Sequence, residues 1–378
     1  MPRVLVINAY PLDWRLQEVR EGLRPDQELY GVNHFAEGDY EVELMPQEQH
    51  RVLRTVSAAL RHRRFPLPVG DLWQQLAAWR RAADGADLIY AASQSEAHAL
   101  GYLRAAGLLK IPLVVVAHHP PAYYRGSALH EPLLRRSLRG CDAVPCLNTA
   151  TTRAVNTLAP RRPYPRAKTL PWGPDARFFT PAGTPGDLFV SAGQAGRDFA
   201  TFAAAATAAG VPAHIVTLTS TAPQGVAGGG GGVAPGVTEC APGVKLELRH
   251  PDDWMTHVEL RSLYRRARAV AIPLERTAYL AGLTSLMDAL AMGLPVVMTR
   301  TPFIDIDLEA EGVGILVDAG DAHGWRAALE KLRDDPEEAA AMGARARALV
   351  DGGLDSRHFA DEIMAVFDRL LGRRPCAR

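Results

Sequence analysis

Cysteine is scarce in this chain: four residues among 378, at Cys141, Cys146, Cys240 and Cys376, with no CxxC pair. That excludes a disulfide framework or a structural zinc site as the basis of the fold. Excess charge of either sign is also lacking, since 42 Lys and Arg balance 42 Asp and Glu. With no net field, nucleic acid is not an expected partner. No run approaches the roughly 20 apolar residues that a bilayer crossing needs. The N-terminus starts on Arg3-Val-Leu-Val-Ile-Asn8 rather than on a signal-peptide core, so the reading is a cytoplasmic protein. What is present is ordinary: 47% apolar and 22% charged residues, in a chain long enough for two domains with full cores.

Short apolar runs alternate with Ala/Leu/Arg-rich helical segments, the pattern of a parallel sheet with crossover helices. In the first half the runs lie at 4–8, 41–45, 87–92, 112–117 and 143–147. They are nearly continuous in Val, Ile and Leu, as strands covered on both faces should be. Helical segments are expected near 51–64, 71–84, 95–107, 128–139 and 149–158. A second series follows at 188–192, 213–218, 244–248, 269–273, 295–299 and 314–317.

Between the two series the periodicity lapses, through Ala159-Pro-Arg-Arg-Pro-Tyr-Pro-Arg166 and Thr169-Leu-Pro-Trp-Gly-Pro-Asp175, as at a linker. The expected division is residues 1–170, then 171–355, then a C-terminal helix within 356–378 that crosses back to the first domain. The five glycines Gly228 to Gly232 read as a flexible surface insertion, because phosphate-cradling loops space their glycines between a strand and a helix.

Ligands of open α/β sheets bind beyond the carboxyl ends of the strands, so residues just after the apolar runs are the first candidates. The richest segment is Ala281-Gly-Leu-Thr-Ser-Leu-Met-Asp-Ala-Leu-Ala-Met-Gly-Leu-Pro-Val-Val297. Gly282 marks a sharp entry, Thr284 or Ser285 can cap a helix reaching about Met292, and Gly293 and Pro295 end it. The unpaired N–H groups of such a helix tip suit a diphosphate. Asp288, one turn beyond Thr284, could accept from a ribose diol. The plainer reading is a capped helix with one exposed Asp.

This segment resembles the donor-binding signature of retaining GT-B glycosyltransferases of the family 4, or group 1, type. Around it, Lys168-Thr-Leu-Pro-Trp-Gly-Pro-Asp-Ala-Arg-Phe-Phe-Thr-Pro181 is similar to the family's inter-domain passage, and Ser191-Ala-Gly-Gln-Ala-Gly-Arg-Asp198 to its Gly-rich turn. Leu260-Arg-Ser-Leu-Tyr-Arg-Arg-Ala-Arg-Ala-Val-Ala-Ile-Pro273 and Gly312-Val-Gly-Ile-Leu-Val317 resemble the flanking pieces, in the family's order.

The resemblance implies a GT-B fold, two doubly wound Rossmann-like domains facing across a deep cleft. It implies a metal-independent transfer of a sugar, with retention of configuration, from a nucleoside diphosphate donor to a hydroxyl or amine. The donor would be UDP- or GDP-linked, with no further cofactor and no metal. The acceptor would be a small molecule, a saccharide or a lipid-linked species. Gly193, Gly282, Leu283, Thr284 and Ser285 would surround the diphosphate, and Asp288 would bind the ribose. Arg197 would offset leaving-group charge; the plainer role for it is a surface pair with Asp198. His118, in Pro112-Leu-Val-Val-Val-Ala-His-His-Pro-Pro121, matches the family's histidine near the reacting sugar, while a structural role would satisfy it equally. Tyr10 and Trp14 stand where the family has a Gly-rich acceptor loop, as sugar-stacking rings or as loop packing.

The chain departs from the family at Leu280, where a glutamate usually contacts the donor sugar, and in lacking the lysine beyond the Gly-rich turn. An epimerase of the same fold and a decayed nucleotide-sugar-binding protein are therefore the rival readings. Asp305-Ile-Asp307 looks like a metal-binding DxD but has no supporting ligands nearby, so it reads as structural. The basic stretch 51–65 reads as a solvated helix face, with peripheral membrane contact as its alternative.

Overall fold

The computed structural model describes residues 1–47, 51–61, 69–124, 130–159, 167–181, 183, 186–221 and 234–373. The glycine run, residues 160–166 of the Pro/Arg-rich passage, the basic stretch beyond Arg61, and Cys376 lie outside them. The chain divides into two compact units. One comprises 1–21, 26–172 and 356–378, and the other 22–25 and 173–355.

In the first unit, strands β1 (Arg3–Ile7), β2 (Glu41–Leu44), β3 (Leu88–Ala91) and β4 (Leu113–Val115) form an all-parallel sheet in the order β2-β1-β3-β4. Bridges Val114↔Ala143 and Ala117↔Cys146 carry it on to β5 (Val144–Cys146), which pairs with β6 (Ala167–Thr169). Leu5, Ile7, Ile89, Ala91, Leu113 and Val115 pack on one face with Leu100, Leu134 and Val155 of the crossover helices. The opposite face is closed by the C-terminal helix Ser356–Leu371. Its Phe367 meets the rings of Phe35, Tyr40 and Tyr90 at 5.0, 5.5 and 5.5 Å. Full burial of such a side chain contributes about 1.5–3 kcal/mol.

A charged latch ties the start of that helix down. The buried His34 has Nε2 3.0 Å from Asp26 and Nδ1 3.0 Å from Glu37, and Glu37 accepts from Arg357. Burial alone would lower the His34 pKa, but its hydrogen bonds to Asp26 and Glu37 outweigh that and raise it. For Asp26, burial pushes up while bonds from His34 and Ser356 bring the pKa down. A raised histidine stabilises below its unfolded pKa and loses that contribution as pH rises through the folded value; a lowered carboxylate does the reverse on the acid side. The Tm advantage of the wild type over His34→Gln should therefore be largest between the reference values of 3.8 and 6.5, and shrink above. A Tm difference independent of pH from 5 to 9 would refute the latch.

The second unit holds β7 (Leu188–Ala192), β8 (Ala213–Leu218), β9 (Gly236–Ala241), β10 (Val244–Arg249), β11 (Ala267–Ile272), β12 (Val296–Thr299) and β13 (Gly314–Val317). They form one sheet in the order β13-β12-β11-β7-β8-β10-β9, parallel except for the edge pair β10–β9. With that edge hairpin strand set aside, the order is the doubly wound 3-2-1-4-5-6 read from the other side. Its core packs Phe189, Ile215 and Leu246 against Phe199, Phe202 and Trp325.

The strands β6 and β9 are additions to the sequence pattern. β9 follows the glycine run read as an insertion; it is a mostly exposed edge strand whose Thr and Glu residues carry no buried-strand signature. The helix Arg51–Arg61 exposes Val52 and Val56. No described helix is long and apolar enough to cross a membrane.

Candidate functional site

The doubly wound order reverses direction between β7 and β11, where the loops leaving the two carboxyl ends part and leave room for a ligand. Here those loops, 193–198 and 273–282, are stitched together. Asp198 N–H donates to Pro273 O at 3.1 Å, Glu275 N–H donates to Gly196 O at 3.0 Å, and Arg197 and Leu274 form an antiparallel bridge. Gly196 is left-handed at φ +62°, and a Cβ on it would lie 2.9 Å from the Tyr279 hydroxyl.

The helix Leu283–Ala291 rises from this junction. Its N-cap is Gly282, at φ +82° and without a capping side chain. This corrects the expectation that Thr284 or Ser285 caps it. A side chain at 282 would be strained by its φ, and its Cβ would lie 2.9 Å from Ile272 Cγ2 and 3.1 Å from Met298 Cε. The chain therefore turns tightly beneath β11 and β12, and no side chain of the cap residue satisfies the first amides. Thr284 is exposed at this tip, Gly282 and Leu283 are half-buried, and Ser285 is committed inward. The Ser285 hydroxyl donates to Ala192 O at 3.3 Å and accepts from Arg197 Nη2 at 3.0 Å.

Arg197 is the chemical centre of the junction. Among the described residues, its side chain otherwise hydrogen-bonds only a backbone carbonyl, Ala195 O, at 3.4 Å. Its Nε is shut off from solvent without a hydrogen-bond partner among the described residues. Burial pulls its pKa down to about 10, with Tyr264 and Tyr279 opposing; it is still cationic at neutral pH. The surface pair with Asp198 is not formed. Asp198 instead caps the helix Phe199–Ala209, accepting from Thr201 N–H at 3.1 Å and Thr201 Oγ1 at 2.6 Å. Gly193 forms the near wall, since a Cβ there would stand 2.6 Å from Arg197 Nε.

Asp288 lies one turn beyond Thr284 but is only 1% exposed, so the plainer reading of an exposed carboxylate fails. Mid-helix on the inner side, it raises the pKa of the buried Tyr264, whose largest upward push is burial. The Tyr264 hydroxyl is buried without a hydrogen-bond partner among the described residues. Sequence reasoning passed over Tyr264, whose only signal was its place just before β11. Leu280, at the glutamate position, is buried.

In the first unit, His118 follows β4 and points its Nε2 at Ala92 O, 2.8 Å away. The carbonyl can only accept, so Nε2 carries the proton and Nδ1 presents a lone pair. Burial lowers its pKa, the bond to Ala92 opposing, so the ring is neutral at pH 7. Tyr30 packs against it with ring centroids 4.9 Å apart. His119 turns to Tyr123 at 4.5 Å, and burial, reinforced by His118, lowers its pKa to about 4.

Tyr10 donates to Glu28 O at 2.7 Å and carries the Arg15 guanidinium 3.5 Å over its ring, so it is engaged in loop packing. Trp14 is 44% exposed. Asp307 accepts from the N–H groups of Glu309 and Ala310 at 3.2 and 3.1 Å, a local turn. No cluster of three metal-ligating side chains occurs among the described residues. His118 belongs to the first unit and the Arg197 junction to the second.

Residues 226–335 match the family described as Glycosyl transferases group 1, a stretch that includes Gly282 to Asp288 but not Gly193 or Arg197. The chain is 39% identical over 101 residues to the D-inositol 3-phosphate glycosyltransferase of Corynebacterium kroppenstedtii, covering 27% of this chain and 20% of that protein. It is 38% identical over 106 residues to that of Kineococcus radiotolerans, covering 26% and 24%. The chain thus matches only about a fifth to a quarter of the length of these relatives.

Among solved structures, Anabaena HepE in complex with UDP superposes with TM-score 0.64 at 14% identity, over 98% of this chain and 100% of that one. The sucrose-phosphate synthase of Thermosynechococcus elongatus superposes with TM-score 0.63 at 14% identity, over 98% and 99%. The fold is that of the GT-B glycosyltransferases.

Proposed function

We propose that this chain is a glycosyltransferase whose second unit holds a nucleoside diphosphate sugar at the β7–β11 junction. The observation that carries the reading is Arg197: a half-buried cation fixed by Ser285 at the tip of the helix Leu283–Ala291, with no carboxylate hydrogen-bonded to it among the described residues. A half-buried guanidinium beside helix amides that no side chain caps is complementary to a diphosphate. The backbone of Gly282, Leu283, Thr284 and Ser285 would receive the phosphates, and Gly193 would leave room for the guanidinium. Asp288 is assigned to the ribose on its place in the helix.

Transfer breaks the bond between the anomeric carbon and the diphosphate oxygen, forms one to an acceptor hydroxyl or amine, and leaves negative charge on the departing diphosphate. Arg197 and the amides would stabilise that charge where it develops, without needing a resident metal. His118, neutral with Nδ1 as acceptor, would orient a sugar hydroxyl. We assign retention of configuration on the family likeness, and UDP as the first donor to try because HepE was solved with it.

A thermal-shift comparison of UDP, GDP, ADP and dTDP is the test. UDP or GDP at 100 Kd should stabilise the protein by about 2.7 kcal/mol, a rise of roughly 5–10 °C for a unit of this size. Asp288→Ala should weaken that response. Its burial also makes it a stability variant, so the shift is read against its own baseline. If no diphosphate moves the Tm of the wild type, the reading fails. NMR of the product's anomeric proton tests retention.

A further inference from the structure

The loop after β4, His118-His-Pro-Pro121, cannot extend the sheet by its own backbone, because Pro120 and Pro121 carry no N–H. The backbones of β3 and β4 stay paired as far as Val116 N–H, which donates to Ala91 O at 2.9 Å. Beyond that point side chains continue the pairing. His118 Nε2 donates to Ala92 O at 2.8 Å. Gln94, half-buried in the turn after β3, then holds both backbone groups of the next residue. His119 N–H donates to Gln94 Oε1 at 3.2 Å, and Gln94 Nε2 donates to His119 O at 2.9 Å. An N–H can only donate and a carbonyl can only accept, so the orientation of this amide is fixed.

The consequence falls on His118. Its ring is tied to the loop after β3 by its own bond, and the chain that follows is tied there by Gln94. Tyr30 closes on the ring with centroids 4.9 Å apart. The titratable groups that face it are this phenol and the neighbouring His119. Burial, with Tyr10 and Glu28, raises the Tyr30 pKa well above 10, while burial and then His118 lower that of His119 to about 4. No carboxylate or cation is hydrogen-bonded to His118 among the described residues. Between about pH 5 and 9, His118 is therefore the member of this set able to change charge.

We infer that Gln94 is a positioning residue: by clamping His119 to the loop after β3, it holds the His118 imidazole in one tautomer, with Nδ1 always presented as an acceptor for a sugar hydroxyl. The role in transfer rests on the glycosyltransferase reading, but the state of the ring does not and is measured without any donor. Releasing the clamp lets water reach the imidazole. Burial is what lowers the His118 pKa, so solvation brings it back towards 6.5, and Nδ1 gains a proton as the pH falls. A protonated Nδ1 accepts nothing.

Wild type, Gln94→Met, His118→Gln and the double variant are compared. Gln94→Met keeps the length of the side chain and removes both of its bonds. Gln94→Asn, one carbon too short to span both groups, is a gentler variant expected to give the same signature at smaller amplitude. Long-range 1H–15N spectra of histidine-labelled protein read tautomer and pKa, and His118→Gln identifies the His118 signals by their loss. Wild-type His118 should be the Nε2–H tautomer and titrate below 6.5. In Gln94→Met it should titrate closer to 6.5, with both tautomers populated. The second readout is slow nucleoside diphosphate release from the sugar nucleotide chosen by the nucleotide screen. Its kcat should be flat in the wild type from about pH 5.5 to 8. In Gln94→Met it should fall roughly 10- to 100-fold at the acid end, the cost of a misplaced group, and recover partly at the alkaline end. The Tm shift given by UDP should not change, since Gln94 lies outside the second unit. The double variant should be no slower than His118→Gln.

No release by the wild type from any sugar nucleotide would sink the glycosyltransferase reading, and the spectra would still decide the clamp. Unchanged His118 signals in Gln94→Met, whatever its Tm, would reduce Gln94 to a structural residue and overturn the inference. So would a ring that shifts while kcat and its pH profile do not, or a double variant in which the two defects multiply.

Discussion

Arg197→Ala should lower kcat roughly 100- to 1,000-fold, the usual consequence of removing one preorganised donor from a developing anion, while donor affinity weakens by about tenfold or less. The asymmetry follows from geometry. On the proposed reading, the resting diphosphate would already be held by the helix amides that follow Gly282, where no side-chain cap competes. Charge on the leaving oxygen grows only as the glycosidic bond breaks, so a fixed cation is worth most at that stage. Arg197 is prepared for this: Ser285 fixes one end of its fork, and Nε has no hydrogen-bond partner among the described residues. Arg197→Lys restores the charge without the planar fork, and should recover part of kcat only. Single-turnover measurement separates these effects from product release. A kcat within threefold of wild type, with intact folding, would remove Arg197 from the chemistry.

Much of this site could be read from the sequence because its signals are local. Gly282, Gly293 and Pro295 punctuate a helix between two Val/Ile-rich runs, and the strands at 188–192, 213–218 and 314–317 coincide with β7, β8 and β13. What the sequence could not disclose depends on groups far apart in the chain. The Arg197–Ser285 bond spans 88 residues, and helical spacing alone said nothing of the packing that buries Asp288. The same holds for the cap. Ser and Thr are good caps by propensity, but the sharp turn under Ile272 and Met298 needs φ > 0, so Gly282 takes the position.

Gly193 offers a second route to the same cation, one that leaves the guanidinium in the protein. A methyl group at 193 would stand 2.6 Å from Arg197 Nε, 2.7 Å from Nη2 and 2.8 Å from Cζ. Those atoms belong to the far end of a side chain, and Gly193 is not among the residues with positive φ. The backbone therefore tolerates alanine while the guanidinium must swing off Ser285. Gly193→Ala should thus lose most of the kcat lost by Arg197→Ala, with a Tm change of only a few degrees. Because both substitutions act on one interaction, the double variant should be little worse than Arg197→Ala alone, a coupling of at least about 1.5 kcal/mol. If instead the two defects multiplied, Gly193 would act through the phosphate-facing backbone, and the guanidinium would not be its target.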